Sequence, residues 1–90
     1  MSYQPLKGQT ALVTGASSGI GAGVALALAA AGADVVVNYA SNSAAADEIA
    51  GKIVAGGTRA LAIKADAGDE TQVEAMFDQM IAAWGRCDIL

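Results

Sequence analysis

Short runs of branched apolar residues, separated by longer stretches with helical spacing, limit this chain to very few folds. "ALVT" (Ala11–Thr14), "DVVVN" (Asp34–Asn38) and "RALAIKAD" (Arg59–Asp66) are compact runs, set off by Gly8, Gly15, Gly32 and the pair Gly56-Gly57. Runs of this kind, apolar on both sides, read as strands buried on both faces and therefore parallel. The final "CDIL" (Cys87–Leu90) reads as the opening of a fourth. Between them the spacing predicts three helices. Gly19 to Ala31 is nearly all alanine, leucine and valine and stops at Gly32, so it needs cover on every side. Ser43 to Ala55 carries Ala46, Ile49, Ala50 and Ile53 at helical spacing, with Asp47, Glu48 and Lys52 elsewhere. In the third, Val73, Met76, Phe77, Met80, Ile81 and Trp84 form one continuous stripe, which reads as core.

The order β-α-β-α-β-α-β, with right-handed crossovers, makes a doubly wound parallel α/β sheet of the Rossmann-like kind. The composition agrees: 54% of residues are hydrophobic but only 4% aromatic, which suits thin layers of alanine and valine. Ninety residues make one small domain, which buries only roughly 60–65% of its unfolded surface. A net charge of −4 leaves no basic patch for a nucleic-acid backbone. One cysteine and no histidine exclude an internal disulfide, a histidine base and a histidine metal site, and Cys87 reads as a small apolar residue. The N-terminus lacks a signal-peptide pattern, and Val24 to Val37, the most apolar stretch, is broken by Gly32 and Asp34. A soluble, cytoplasmic protein is the expectation.

The residues that carry chemistry follow the first strand. "VTGASSGIG" places Gly15, Gly19 and Gly21 where the strand turns into the first helix. In a doubly wound sheet, ligands collect outside the carboxyl ends of the strands. There the unpaired N–H groups and the positive end of the helix dipole suit a pyrophosphate. Glycines let the backbone turn sharply and approach the ligand, while Ser17 and Ser18 add hydroxyl donors. Three glycines alone are a weak signal, but a strand before, a helix after and a full βαβ unit are the confirming context. The spacing is Gly-x-x-x-Gly-x-Gly rather than Gly-x-Gly-x-x-Gly, and no Gly-Lys-Ser/Thr follows, which excludes a P-loop hydrolase.

"TGASSGIG" resembles the cofactor motif of the classical short-chain dehydrogenase/reductase family. The resemblance covers essentially the whole chain, since "ADVVVNY", "ADAGDETQVEAMF" and "WGRCDIL" fall at that family's second strand, third-strand corner and fourth strand. Within the family, "PLKGQTALVTGASSGIG" with "VVVNY" looks most like the glucose 1-dehydrogenase branch, and "VVVNYA" is also similar to 3-oxoacyl-carrier-protein reductases. The resemblance implies an NAD(P)-dependent oxidoreductase that moves hydride between a nicotinamide and a carbonyl or secondary alcohol. A sugar or polyol is the expected substrate, a 3-oxoacyl thioester the alternative. The turn residues Gly15, Ser17, Ser18, Gly19, Ile20 and Gly21 are then cofactor-binding, as are Asp66, whose carboxylate would meet the adenine amino group, and Ala67, through its backbone N–H.

A carboxylate at the end of the second strand selects NAD by bonding the ribose hydroxyls and repelling the extra phosphate of NADP. Asn38 stands there and is neutral, and no basic residue occupies Ser18 or Ala40. Asn38, Tyr39, Ala40 and Ser41 would shape the 2′-position by hydrogen bonding, so dual use of NADP and NAD is expected. On that reading, Asn38→Asp should weaken NADPH binding more than NADH.

The family's catalytic groups are a tyrosine, a lysine four residues later, a serine and an asparagine. A tyrosine needs such help because its ordinary pKa is about 10. Tyr3 and Lys7 have the spacing, but Pro5 lies between them and they precede the first strand. No catalytic residue is assigned within residues 1–90, which read as a single incomplete dinucleotide-binding domain without its catalytic half. As a separate object such a chain should be weakly stable or self-associating, with no turnover. The whole enzyme would be a homotetramer, as family members commonly are. Two other classes compete: a non-catalytic dinucleotide-binding module, and a sulphonium-cofactor methyltransferase, which Asn38 and the glycine spacing disfavour.

Overall fold

The computed structural model describes residues 5–17 and 19–88. Strands β1 (Thr10–Val13), β2 (Asp34–Tyr39) and β3 (Ala60–Lys64) alternate with helices α1 (Gly19–Ala30), α2 (Ser43–Ala55) and α3 (Glu70–Trp84). The sheet order is β1-β2-β3 and both pairings are parallel, with Thr10 opposite Asp34 and Val35 opposite Ala60. All three strands therefore begin at one edge of the sheet, its amino end, and finish at the other, its carboxyl end.

Strand alternation sorts the side chains into two layers. Ala11, Val35 and Val37 face Ala25 and Ala29 of α1 and Ala46, Ile49 and Ile53 of α2. Leu12, Val36 and Ile63 face the other way, onto Met76 and Met80 of α3. Helices thus cover both faces, as the doubly wound reading requires. In the first layer α1 lays alanine on valine, while α2 adds Ile49 and Ile53. In the second, each fully buried methionine contributes about 1.5–3 kcal/mol.

Two packing expectations need correction. The α3 stripe buries Met76 and Met80 and half-buries Val73, Phe77 and Trp84, but Ile81 lies 47% exposed at its margin. α1 is not covered all round: it buries only Ala25 and Ala29, while Ile20 and Val24 are exposed. A helix lying on a sheet presents one stripe to it, whatever residues its other sides carry.

The amino end of the sheet is tied by charged side chains. Asp34 accepts the backbone N–H of Arg59 at 2.7 Å and pairs with its guanidinium at 2.8 and 2.9 Å. The same guanidinium lies 5.1 Å from the ring centre of Trp84, joining β2, the start of β3 and the end of α3. Beside β1, the Asp88 N–H donates to the Thr10 carbonyl at 2.9 Å, and the Asp88 carboxylate accepts the Thr10 N–H at 2.9 Å. This is the first contact of the expected fourth strand. Ile89 and Leu90 lie outside the described residues. Among the described residues, no helix is long and apolar enough to cross a membrane.

Candidate binding site at the carboxyl end of the sheet

After Val13 the chain turns through Thr14, Gly15, Ala16 and Ser17 and enters α1 at Gly19. Gly15 and Gly19 hold φ values of 61° and 59°, the left-handed region that side chains disfavour. Gly21 is needed for a different reason: a Cβ there would strike the carbonyl oxygen of Gly15, so the first turn of α1 sits directly on the preceding loop. Ala16 is fully buried, and its N–H donates to the Asn38 carbonyl at 2.9 Å, pinning the turn against the end of β2.

Glycine 15 and alanine 16 have thus spent their N–H groups on β2. Those of Gly19, Ile20 and Gly21, in the first turn of α1, have no carbonyl of their own helix to meet. They open at the carboxyl end of the sheet with the positive end of the helix dipole behind them. Gly19 and Ile20 are exposed, and Ser17 and Gly21 are half-buried. Such a bay can accept phosphate oxygens, and the missing side chains leave room for them. Ser18, the other expected hydroxyl donor, lies outside the described residues.

The structure gives Asn38 a different task from the expected one. Alternation places its side chain on the α3 face with Val36, and it is 2% exposed. Its Oδ1 accepts the Gly15 N–H at 3.2 Å. Its Nδ2 donates to the Ile63 carbonyl at 3.3 Å and the Ala65 carbonyl at 3.1 Å. Both donors are spent, and the side chain is enclosed rather than offered to a ribose. The half-buried Tyr39, on the opposite face, and the exposed Ala40 and Ser41 are the residues left at the open end of β2.

At the end of β3, Asp66 and Ala67 are exposed. The Asp66 carboxylate closes a local turn by accepting the Gly68 N–H at 2.8 Å on Oδ1, and Oδ2 makes no hydrogen bond among the described residues. Asp69 caps α3 by accepting the Thr71 and Gln72 N–H groups at 3.0 and 3.3 Å. Capping therefore falls to Asp69 and leaves part of Asp66 available. Sequence reasoning missed Gln72, whose Oε1 takes the Asp66 N–H at 2.8 Å while its Nε2 donates to Asp69 at 3.1 Å. An acidic residue followed three positions later by glutamine is a capping-box spacing, so the signal was present. Asn42, which caps α2 by accepting the Ala45 N–H at 3.0 Å, was missed as well.

Asn38 brings the glycine turn and the β3 exit together across the end of β2. Lys7 stays apart, in the turn Pro5–Gly8 before β1, at the amino end of the sheet. Tyr3 lies outside the described residues.

Residues 9–90 match the family model described as short chain dehydrogenase. The chain belongs to the short-chain dehydrogenase family. It is 48% identical over 85 residues to versicolorin reductase 1 of Dothistroma septosporum, covering 94% of this chain and 32% of that protein. It is 46% identical to a 3-oxoacyl-[acyl-carrier-protein] reductase of Synechocystis, covering 94% and 34%. A short chain dehydrogenase from Burkholderia cenocepacia, solved in complex with NADP, superposes with a TM-score of 0.91 at 43% identity, over 94% of this chain and 35% of that one. This short-chain dehydrogenase chain thus spans about a third of the length of each of these three proteins. None of the three is named as a glucose dehydrogenase, so the glucose 1-dehydrogenase subgroup expected from "PLKGQTALVTGASSGIG" with "VVVNY" finds no support in them.

Proposed function

We propose that these residues form the dinucleotide-binding part of an oxidoreductase that moves hydride between a nicotinamide and a carbonyl or secondary alcohol. One observation carries this reading. Gly21 lies so close to Gly15 that no side chain fits, and it holds the free N–H groups of α1 at the ligand-binding end of the sheet. The open N–H groups and the positive end of the α1 dipole suit an NAD(P) pyrophosphate, and the glycines put no side chain in its way. Gly19, Ile20 and Gly21 would hold it, with Ser17 and Ser18 adding hydroxyls, and Asp66 and Ala67 would meet the adenine. When bound, the nicotinamide supplies the hydride chemistry. The acid and base of the reaction are assigned outside these residues, because Lys7 stands at the wrong end of the sheet.

Acceptance of NADP is favoured by the neutral end of β2, where Tyr39, Ala40 and Ser41 present no carboxylate to a 2′-phosphate. The NADP complex of the Burkholderia neighbour supports the same choice. NAD use is part of the reading because none of Tyr39, Ala40 and Ser41 is itself a basic residue that demands the phosphate. For the substrate, the two reductases support a ketone of a larger organic molecule, the 3-oxoacyl thioester included, ahead of a sugar. A cytoplasmic location and a homotetramer rest on the family resemblance alone.

Titration of the intact protein with NADPH and NADH, followed by quenching of Trp84 fluorescence or by calorimetry, tests the proposal. Saturable binding of NADPH is the expected result. Binding of neither dinucleotide overturns it. Turnover with glucose but with no ketone would restore the sugar reading.

A further inference from the structure

Asn38 was expected to read the cofactor's 2′-position, and the structure encloses it instead. The side chain is 2% exposed at the end of the central strand, and its amide makes three hydrogen bonds to two other segments. One end holds the Gly15 N–H of the glycine turn. The other holds the carbonyls of Ile63 and Ala65, the last buried residues before Asp66. The amide can sit only one way round, since an N–H faces Oδ1 and two carbonyls face Nδ2. The backbone reinforces the link: the Ala16 N–H donates to the Asn38 carbonyl at 2.9 Å, and the Ala65 N–H donates to the Tyr39 carbonyl at 3.0 Å.

From this geometry we infer that Asn38 is a positioning residue, a clasp that sets the pyrophosphate turn and the adenine corner at a fixed distance before any dinucleotide arrives. The inference rests on the dinucleotide reading above. A ligand that spans the two places gains when their spacing is already set, because it need not order them itself. The clasp is neutral, which suits a position next to an anion. It is also indifferent to the 2′-substituent, because its hydrogen bonds go to Gly15, Ile63 and Ala65 and not to Ala40 or Ser41 at the open end of β2.

Asn38→Asp separates this role from the one first expected. The aspartate keeps an oxygen for the Gly15 N–H but turns its second oxygen onto the carbonyls of Ile63 and Ala65. Asn38→Leu removes both ends at similar volume. Measured on the intact protein below its unfolding transition, each variant should bind NADPH and NADH about tenfold more weakly, the size of one lost buried hydrogen bond. The ratio of the two affinities should stay within about twofold of the wild type, since neither end of the amide reaches the 2′-position. A selective loss of NADPH binding would return Asn38 to the 2′-site and overturn the clasp. Unchanged affinities with a lowered Tm would reduce Asn38 to a stability residue and overturn it equally.

Should neither variant fold, amide exchange in the unsubstituted protein decides. The clasp requires the Gly15 amide to be protected without nucleotide, and adenosine 5′-monophosphate, bound at the β3 exit, to raise that protection. Rapid exchange of Gly15, or no response to the nucleotide, overturns the inference. Wild-type protein that binds neither NADPH nor NADH overturns the function proposed above and the clasp with it. Wild-type binding with unaltered variants removes only the clasp.

Discussion

The two ends of this sheet are held by opposite means. At the amino end, charged side chains close the gaps between segments: Asp34 with Arg59, Arg59 over Trp84, and Asp88 with Arg86 and Thr10. At the carboxyl end the glycine turn is fastened by backbone groups and one neutral amide, and no salt bridge among the described residues reaches it. Ion pairs at the amino end lie away from the proposed dinucleotide site, so they do not compete with an anion at the glycine turn. A charged side chain locked onto the turn would compete with an incoming anion or repel it. The glycine end therefore gives up side-chain packing to keep its N–H groups open, and the opposite end carries more of the fastening.

The comparison breaks most visibly at Gly21. Gly21→Ala puts a methyl onto the Gly15 carbonyl oxygen, so the turn or the helix start has to move. Overpacking of this kind costs about 1–3 kcal/mol of stability. Cofactor affinity should fall further than stability, because the displaced groups are the ones proposed to hold the pyrophosphate. Calorimetric titration beside a thermal melt checks this. A variant that melts lower yet binds NADPH unchanged would show that the turn is structural only.

A change at the other end should do the reverse. Arg59→Ala removes the bidentate pair with Asp34 and the cation on Trp84. The guanidinium is 59% exposed, so the pair is worth no more than about 1 kcal/mol, with a further ~0.5–1 kcal/mol from the ring contact. Urea unfolding should lose about 0.5–2 kcal/mol in total, while NADPH affinity stays the same. A drop in affinity would mean that the two ends of the sheet are coupled.

How much of this was legible in the sequence follows the same division. Branched runs and glycine punctuation placed all three strands and all three helices, because burial on both faces and helix spacing are local patterns. The glycine turn was legible as well, since the need for glycine at Gly15 and Gly21 is set by the strand-to-helix connection itself. Asn38 was not. Its position at a strand end suggested a ribose contact, but which face a strand's last residue uses depends on register, and a shift of one residue reverses it. In the actual register Asn38 falls on the α3 side and Tyr39 on the other. Ile81 failed for a related reason: a stripe gives direction but not the width of the surface it meets. The Arg59–Asp34 pair joins two segments through long-range pairing, which no spacing rule contains.

The smallest expected effect concerns pH at the amino end. The Arg86 guanidinium, hydrogen-bonded at 2.7 and 2.9 Å, holds the Asp88 carboxyl below the usual carboxylate range, and the Thr10 N–H adds to this. A carboxyl whose folded pKa lies below its unfolded one stabilises the fold fully above the ordinary value, about 4. That contribution is lost as the pH falls through the lowered folded value. Wild type should therefore melt slightly higher than Asp88→Asn at neutral pH, and the two curves should converge in acid below about pH 4. The site is open to solvent, so the gap should also narrow with added salt. Melting curves at three pH values decide it: a gap independent of pH would show that Asp88 acts by shape and hydrogen bonding alone. NADPH affinity should be the same in both proteins at every pH tested above the ordinary carboxylate range, because the charge that titrates lies at the opposite end of the sheet from the proposed dinucleotide site.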